Sequence, residues 1–348
     1  MGKAAEKEED KATVVNSASK FHQEEAVLRT MTERALGRPV TGFMARELGG
    51  GMSSAVYLVE ANIQKDCDGT GVKMVLKIAA DPSVTLMRQE KDCIINEANM
   101  LRLLEEGTDI PAPGLIYLDT TCEICNAPYF FMSFLEGTPL MTMAERPPKE
   151  AIAEIKRQVG IICRKISSLR ADCFGIPVMP ETHRDNNYEF VFTLFQMLLQ
   201  DAEDKQIEIP GISHKELLAL IEEEREELLE AEVPYYIHTD TWDGNLMIKD
   251  DCLVGVIDYA AVLYGDPLMN HDFHDFGEIC TDFLEGYGKT QFTHNELIRI
   301  SIYKIWQRLG MIVERGFRNY EDKNQYAWVL GEFTKEVEHL KELKALHR

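Results

Sequence analysis

His238, Asp240 and Asn245 stand in the order H-x-D-x-x-x-x-N, inside the stretch Tyr236-Ile-His-Thr-Asp-Thr-Trp-Asp-Gly-Asn245. A short apolar segment and a turn follow, then a second apolar segment, Leu253-Val-Gly-Val-Ile257, ending at Asp258. These residue types suit phosphoryl transfer. That chemistry needs one carboxylate facing an acceptor hydroxyl, and an amide oxygen with a second carboxylate to hold Mg²⁺ on nucleotide phosphates. A loop followed by a tight hairpin brings three such groups to one rim.

The elements that must position them are legible around this stretch. Arg46-Glu-Leu-Gly-Gly-Gly-Met-Ser-Ser-Ala-Val-Tyr-Leu-Val59 reads as strand, glycine turn, strand, and Asp68-Gly69 is a hairpin signal. Met74–Ala79 reads as the next strand, with Lys77 among Val75, Leu76 and Ile78. Arg88–Glu106 reads as a helix closed by Gly107, with Ile94, Ala98, Leu101 and Leu104 on its apolar stripe. Glu97 lies on that stripe, where a carboxylate needs a partner, and Lys77 is the expected one. Leu115–Asp119 and Tyr129–Leu135 read as two more strands. Beyond Glu136-Gly-Thr-Pro139 the pattern turns helical. Ile152, Ile155, Val159, Ile162, Ile166 and Leu169 keep helical spacing, and Tyr188–Asp201, His214–Glu232, Glu296–Arg315 and Tyr320–Leu343 continue it. Glu222–Glu227 reads as a solvated helix face. The expected organisation is α+β: a tail over 1–20, a small β-rich lobe over 21–135 and a larger, mainly helical lobe over 136–348.

The 348 residues carry 59 acidic against 37 basic side chains, a net charge of −22. Such a surface repels phosphate backbones, so neither nucleic acid nor an anionic membrane is an expected partner. Solubility is the plain reading of the acidity; a cleft attracting a cation is the sharper one. No apolar run approaches bilayer length and Met1–Asp10 lacks a signal-peptide core, so a cytoplasmic location is expected. Cys122-Glu-Ile-Cys125 is a lone C-x-x-C without the second pair a structural zinc wants, and reads as a turn between strands. His271-Asp-Phe-His274 reads as a helix start; its use with nearby carboxylates in a metal-dependent hydrolase is a rival reading.

From about Glu47 to Gly288 the chain resembles the aminoglycoside phosphotransferase/choline kinase family, within the eukaryotic-like kinase superfamily. The resemblance is carried by His238-Thr-Asp-Thr-Trp-Asp-Gly-Asn245 and Gly255-Val-Ile-Asp-Tyr-Ala-Ala-Val-Leu-Tyr-Gly-Asp-Pro267, supported by Glu97-Ala-Asn-Met-Leu101 and Tyr129–Gly137. It implies a bilobal protein-kinase-like fold and a small-molecule kinase using ATP and Mg²⁺. It makes Asp240 the catalytic base and His238 a brace of the loop, and gives Asn245 and Asp258 the metal. Lys77, steadied by Glu97, meets the α- and β-phosphates. Gly50, Gly51, Ser53 and Ser54 form the phosphate-covering turn, and adenine bonds the Ser133 carbonyl and the Leu135 amide. Asp266 fixes the loop after the metal site or simply forms an Asp-Pro turn.

The acceptor implied is an aminoglycoside-like amino-sugar or aminocyclitol, a cation met by Asp185, Glu189, Asp272, Asp275 and Glu278. Choline-like, sugar and macrolide acceptors remain open, as does a non-catalytic nucleotide-binding module. A protein substrate fits less well, since no A-P-E segment or long activation loop follows Asp258. Thr239 and Thr241 depart from the family's habit, which leaves the acceptor pocket's shape open.

Overall fold

In the computed structural model, residues 19–49, 54–63, 70–318 and 323–346 are described. Five strands make the sheet of the smaller lobe: β1 (Val40–Glu47), β2 (Ala55–Ile63), β3 (Thr70–Ile78), β4 (Leu115–Asp119) and β5 (Tyr129–Ser133). They pair antiparallel in the order β1-β2-β3-β5-β4. The period of two along a strand sorts its side chains between two cores. Met74, Leu76 and Ile78 of β3 join Tyr129 and Phe131 of β5 on one face, under helix α1 (Glu25–Leu36). Val75 of β3 and Phe130 and Met132 of β5 point the other way, toward helix α2 (Cys93–Gly107). Lys77 shares the parity of Val75 and therefore faces α2. The expected hairpin at Asp68-Gly69 falls outside the described residues, but β2 and β3 do pair, from Ile63 opposite Thr70 onward.

Packing starts before residue 21. Ser19 and Lys20 are buried. The Ser19 carbonyl accepts from Asp81 N–H at 3.0 Å, and Lys20 Nζ donates to Glu47 Oε1 at 3.1 Å. The rest of the expected tail falls outside the described residues.

The helix expected from Arg88 starts later. Arg88–Glu90 is a 3₁₀ turn, Asp92 takes a left-handed conformation (φ 55°), and α2 begins at Cys93. Side chains claim the intervening backbone: Glu90 Oε2 accepts from Met87 N–H at 3.2 Å and Asp201 Oδ2 from Arg88 N–H at 2.9 Å. A local cap from Glu90 and a distant bond from Asp201 thus override a helical pattern.

The larger lobe holds α3 (Lys149–Ile166), α4 (Asn187–Asp204), α5 (His214–Glu222), α6 (Arg225–Leu229), α7 (His271–His274), α8 (Thr281–Tyr287), α9 (His294–Glu314) and α10 (Lys323–Ala345). Asn186 caps α4, while Ser213 with Glu216 and Thr293 with Glu296 form capping boxes on α5 and α9. α3 and α8 cross closely at Gly160 and Gly286, where a β-carbon would come within 2.2 Å of Phe283 O and 1.9 Å of Arg157 O respectively. The single helix expected over His214–Glu232 is two. At the break Glu224 is buried and its Oε1 lies 2.8 Å from Lys344 Nζ, so the acidic run is not solvated throughout.

Five short strands complete the described part of the lobe: β6 (Thr138–Pro139), β7 (Tyr235–His238), β8 (Leu246–Lys249), β9 (Cys252–Val256) and β10 (Val262–Gly265). β6, β8 and β9 form one small sheet and β7 pairs with β10. α2 shares a continuous hydrophobic core with this lobe. Among the described residues no helix is long and apolar enough to cross a membrane.

Candidate active site

Lys77 and Glu97 meet. The Lys77 ammonium lies 2.6 Å from Glu97 Oε2 and 2.8 Å from Asp258 Oδ1. Lys77 and Glu97 are buried, whereas the Asp258 side chain is 36% exposed. Burial opposes the Lys77 charge, but Asp258 and Glu97 outweigh it and raise its pKa above the ordinary lysine value. Burial pushes Glu97 up to about 7 despite Lys77, and Asp258 adds to the rise. Asp258 itself is held below the usual carboxylate range because Lys77 overcomes the cost of its burial. α2 is pinned to this corner by buried Asn96, whose Nδ2 donates to Ala260 O at 3.0 Å and Val262 O at 2.9 Å.

Asp258 is left-handed (φ 63°, ψ 67°), a conformation Asp tolerates better than most residues. The chain thereby leaves β9 and enters a 3₁₀ turn, Tyr259–Ala261, which leads directly into β10. Three residues separate Asp258 from the next strand, so no mobile activation segment follows it.

The H-x-D-x-x-x-x-N loop begins at the end of β7. Asp240 N–H donates to His238 Nδ1 at 3.2 Å. Burial pulls the His238 imidazole down to about 4, and its ring packs 4.6 Å from that of Tyr259. A buried, neutral ring whose Nδ1 is already taken braces the loop. Asn245 Nδ2 donates to both the carbonyl (2.8 Å) and the Oδ2 (2.9 Å) of Asp240. That arrangement fixes the amide so that Oδ1, a hard oxygen donor, is left for another partner. Burial, with the charge of Asp258, pushes Asp240 up to about 6. Asn245 O accepts from Ile257 N–H at 3.0 Å, tying the loop to the end of the β8–β9 hairpin. Gly244 lets Trp242 fold back over the loop, since a β-carbon there would lie 2.3 Å from the indole.

The two threonines that stood out in the sequence anchor the loop. Thr239 Oγ1 donates to Ala261 O at 2.8 Å, and buried Thr241 donates to Asp272 Oδ2 at 3.0 Å. Asp272 in turn faces Lys156 of α3 at 3.9 Å, and Lys156 reaches Asp243 at 3.2 Å. Asp243, unassigned in the sequence, also pairs with Arg146 at 2.6 Å. Burial raises the Asp272 pKa even with Lys156 nearby. Asn96 and Lys156 were missed in the sequence, although Lys156 falls one turn after Ile152, beside the apolar stripe of α3. A charge beside an apolar stripe needs a partner there just as Glu97 does.

Asp275 is half-exposed and lies 3.7 Å from His271 Nε2. That pairing holds it at about 2 against the cost of burial. All four residues His271–His274 are buried, as expected of a packed helix start. Glu278 is exposed. Asp185 and Glu189, also exposed, are not brought to the loop. Arg184 pairs with Phe174 and Gly175 with Tyr264, which places this segment toward the Tyr235/Gly265 end of the β7–β10 pair, while the loop leaves from the His238/Val262 end. Sequence alone could not tell which end of that pair they would reach.

Asp266 forms the expected turn and is itself anchored: its Oδ1 caps the turn at Leu268 N–H (3.1 Å), and its Oδ2 accepts from Arg299 Nε (2.9 Å) and Tyr303 OH (2.8 Å). Ser54 is buried at the start of β2, whereas Gly50, Gly51 and Ser53 fall outside the described residues. Ser133 ends β5, its N–H donating to Gly114 O at 2.9 Å. Leu135 follows in the irregular connector, and its Cδ1 would lie 2.6 Å from a β-carbon at Gly255. Cys122 is exposed and Cys125 buried in the turn between β4 and β5, and among the described residues no cluster of three or more His, Cys, Asp or Glu could hold a metal.

Solved structures share this architecture. A protein from Haemophilus somnus 129PT assigned as a fructosamine-3-kinase superposes with a TM-score of 0.62 at 14% identity, over 90% of this chain and 96% of that one. One from Ralstonia eutropha JMP134 assigned as an aminoglycoside phosphotransferase gives 0.61 at 11% identity, over 92% and 98%. The streptomycin–ATP ternary complex of APH(2")-IIa gives 0.55 at 16% identity, over 92% and 97%. The fold is therefore the bilobal, protein-kinase-like α+β fold. The profile of the APH phosphotransferase enzyme family matches residues 45–294, and the chain belongs to that family. A segment of 130 residues is 26% identical to an Arabidopsis thaliana protein assigned as an acyl-CoA dehydrogenase, IBR3; it is 37% of this chain and only 15% of that protein's length.

Proposed function

We propose that this phosphotransferase moves the γ-phosphoryl group of ATP to a hydroxyl of a small polar molecule carrying an amine, an amino-sugar or aminocyclitol. The observation that carries the reading is the convergence of Asp240, Asn245 and Asp258 with the Lys77–Glu97 pair. Asp240 orients the acceptor hydroxyl and takes its proton. Asn245 Oδ1 and the exposed part of Asp258 are oxygen donors suited to Mg²⁺, which would neutralise charge on the β- and γ-phosphates. Lys77 keeps Glu97 and exchanges Asp258 for phosphate oxygens when nucleotide enters. The connector from Ser133 to Leu135 takes the adenine, and the turn over Gly50–Ser54 covers the phosphates.

The amine rests on thinner support. Asp275 is half-exposed beside His271 and Glu278 is exposed, the chain is strongly acidic, and fructosamine and streptomycin, named for the neighbours, are hydroxylated amines. A screen of hydroxylated amines, neutral sugars and macrolides, read by Mg²⁺-dependent ADP release, tests the reading. ADP release stimulated by an amine and absent in Asp240→Ala is the expected result. Stimulation by neutral acceptors alone would remove the amine, and nucleotide binding without transfer to any acceptor would favour a non-catalytic module.

A further inference from the structure

The turn before α2 is bonded to the helical lobe at four consecutive residues. Arg88 N–H donates to Asp201 Oδ2 at 2.9 Å, and its guanidinium pairs with both Asp201 and Asp204 (2.7 Å) of α4. Gln89 Nε2 donates to Leu194 O of α4 at 2.8 Å, and its Oε1 accepts from Trp306 Nε1 of α9 at 3.3 Å. Glu90 pairs with Arg318 just beyond α9. Lys91 Nζ lies 3.1 Å from Glu181, in the segment ahead of α4. Asp201 is buried, so its charge needs Arg88, whereas the Lys91 pair is exposed and contributes little. In the first turn of α2, Asn96 bonds the backbone around Ala260, and the helix's apolar face joins a core that runs continuously from the sheet into the larger lobe.

A helix that carries the glutamate of a Lys–Glu pair is a natural switch where it can swing away with the small lobe. Here α2 is fastened to the other lobe through its first turn and the turn before it. We propose that Arg88 and Asp201 are positioning residues that lock α2 to the helical lobe, so that Glu97 stands ready beside Lys77 without any effector. Lobe motion then slides the sheet over α2 rather than carrying α2 with it. The catalytic meaning of the lock rests on the phosphotransfer reading; the lock itself does not.

Amide hydrogen exchange of the full chain without nucleotide tests the lock directly. Wild-type amides over 96–104 exchange slowly, and addition of Mg²⁺ with a non-hydrolysable ATP analogue leaves their rates within about twofold. Arg88→Ala accelerates them, and lowers kcat about three- to thirtyfold while the acceptor KM stays within twofold. Merely lowered stability would shift the melting temperature but leave kcat per folded molecule unchanged. The exchanged pair Arg88→Asp with Asp201→Arg should recover part of the loss. Should Arg88→Ala fail to fold, Gln89→Ala, which removes the bonds to Leu194 and Trp306, carries the same measurements. Unchanged α2 exchange in the variants, or wild-type exchange that falls sharply only when nucleotide binds, overturns the lock. Slow exchange together with absence of any Mg²⁺–ATP turnover leaves the lock standing and removes the phosphotransfer reading instead.

Discussion

Asp240 and Asp258 are both carboxylates in one cleft, and their surroundings drive them apart. Lys77 holds Asp258 ionised, while burial and the charge of Asp258 raise Asp240 to about 6. A base must be ionised to accept a proton, so activity is present above that value and lost as pH falls through it. The acid limb of kcat/KM for ATP, which reports the free enzyme, should lie near pH 6. Bound Mg²⁺ favours the ionised form, so the limb of kcat should lie lower. Coincident limbs, or none above pH 5, would take the base role from Asp240. Asp240→Ala should lose about 10²–10⁴-fold in kcat and keep nucleotide affinity. Asp258→Asn should weaken ATP binding only when Mg²⁺ is present; calorimetry showing equal affinities for variant and wild type, with Mg²⁺, would remove its metal role.

At the scale of elements, the loop is held from beneath by α3 and α7. Thr241 bonds Asp272, Asp272 faces Lys156, and Lys156 reaches Asp243. The sequence offers Asp272 as a carboxylate for a cationic acceptor, yet here it is buried and partnered. Its loss should therefore disturb the loop rather than acceptor binding. Asp272→Asn should lower kcat roughly tenfold and move the acceptor KM little. A rise in acceptor KM with kcat unchanged would return Asp272 to the acceptor site. Asp275, half-exposed beside His271, is the better candidate for contact with an amine.

For the whole molecule, the net charge of −22 favours an approaching cation over an anion. Raising ionic strength from about 0.05 to 0.5 M should raise the acceptor KM several-fold, because screening shortens from about 14 to 4 Å. The KM for ATP should change less, since Lys77 is buried and screened weakly. An acceptor KM that stays flat with salt points to a neutral substrate held by stacking and hydrogen bonds.

What the sequence determined by itself was local or periodic. The order H-x-D-x-x-x-x-N and the apolar hairpin ending at Asp258 put three groups within one short stretch of chain. The alternation along β3 and the stripe on α2 placed Lys77 and Glu97 on facing surfaces, because periods of 2 and 3.6 fix which way a side chain points. Tertiary structure alone decided the rest. A side-chain bond from Asp201 helped turn the expected start of α2 into a 3₁₀ turn, and Lys344 reached back across the lobe to the break in the Glu222–Glu227 run. Asp185 and Glu189 went to the far end of the β7–β10 pair, whereas Lys156 and Asn96 came to the site. Such partners lie tens to hundreds of residues apart, and no local propensity encodes a meeting that only the packed fold brings about.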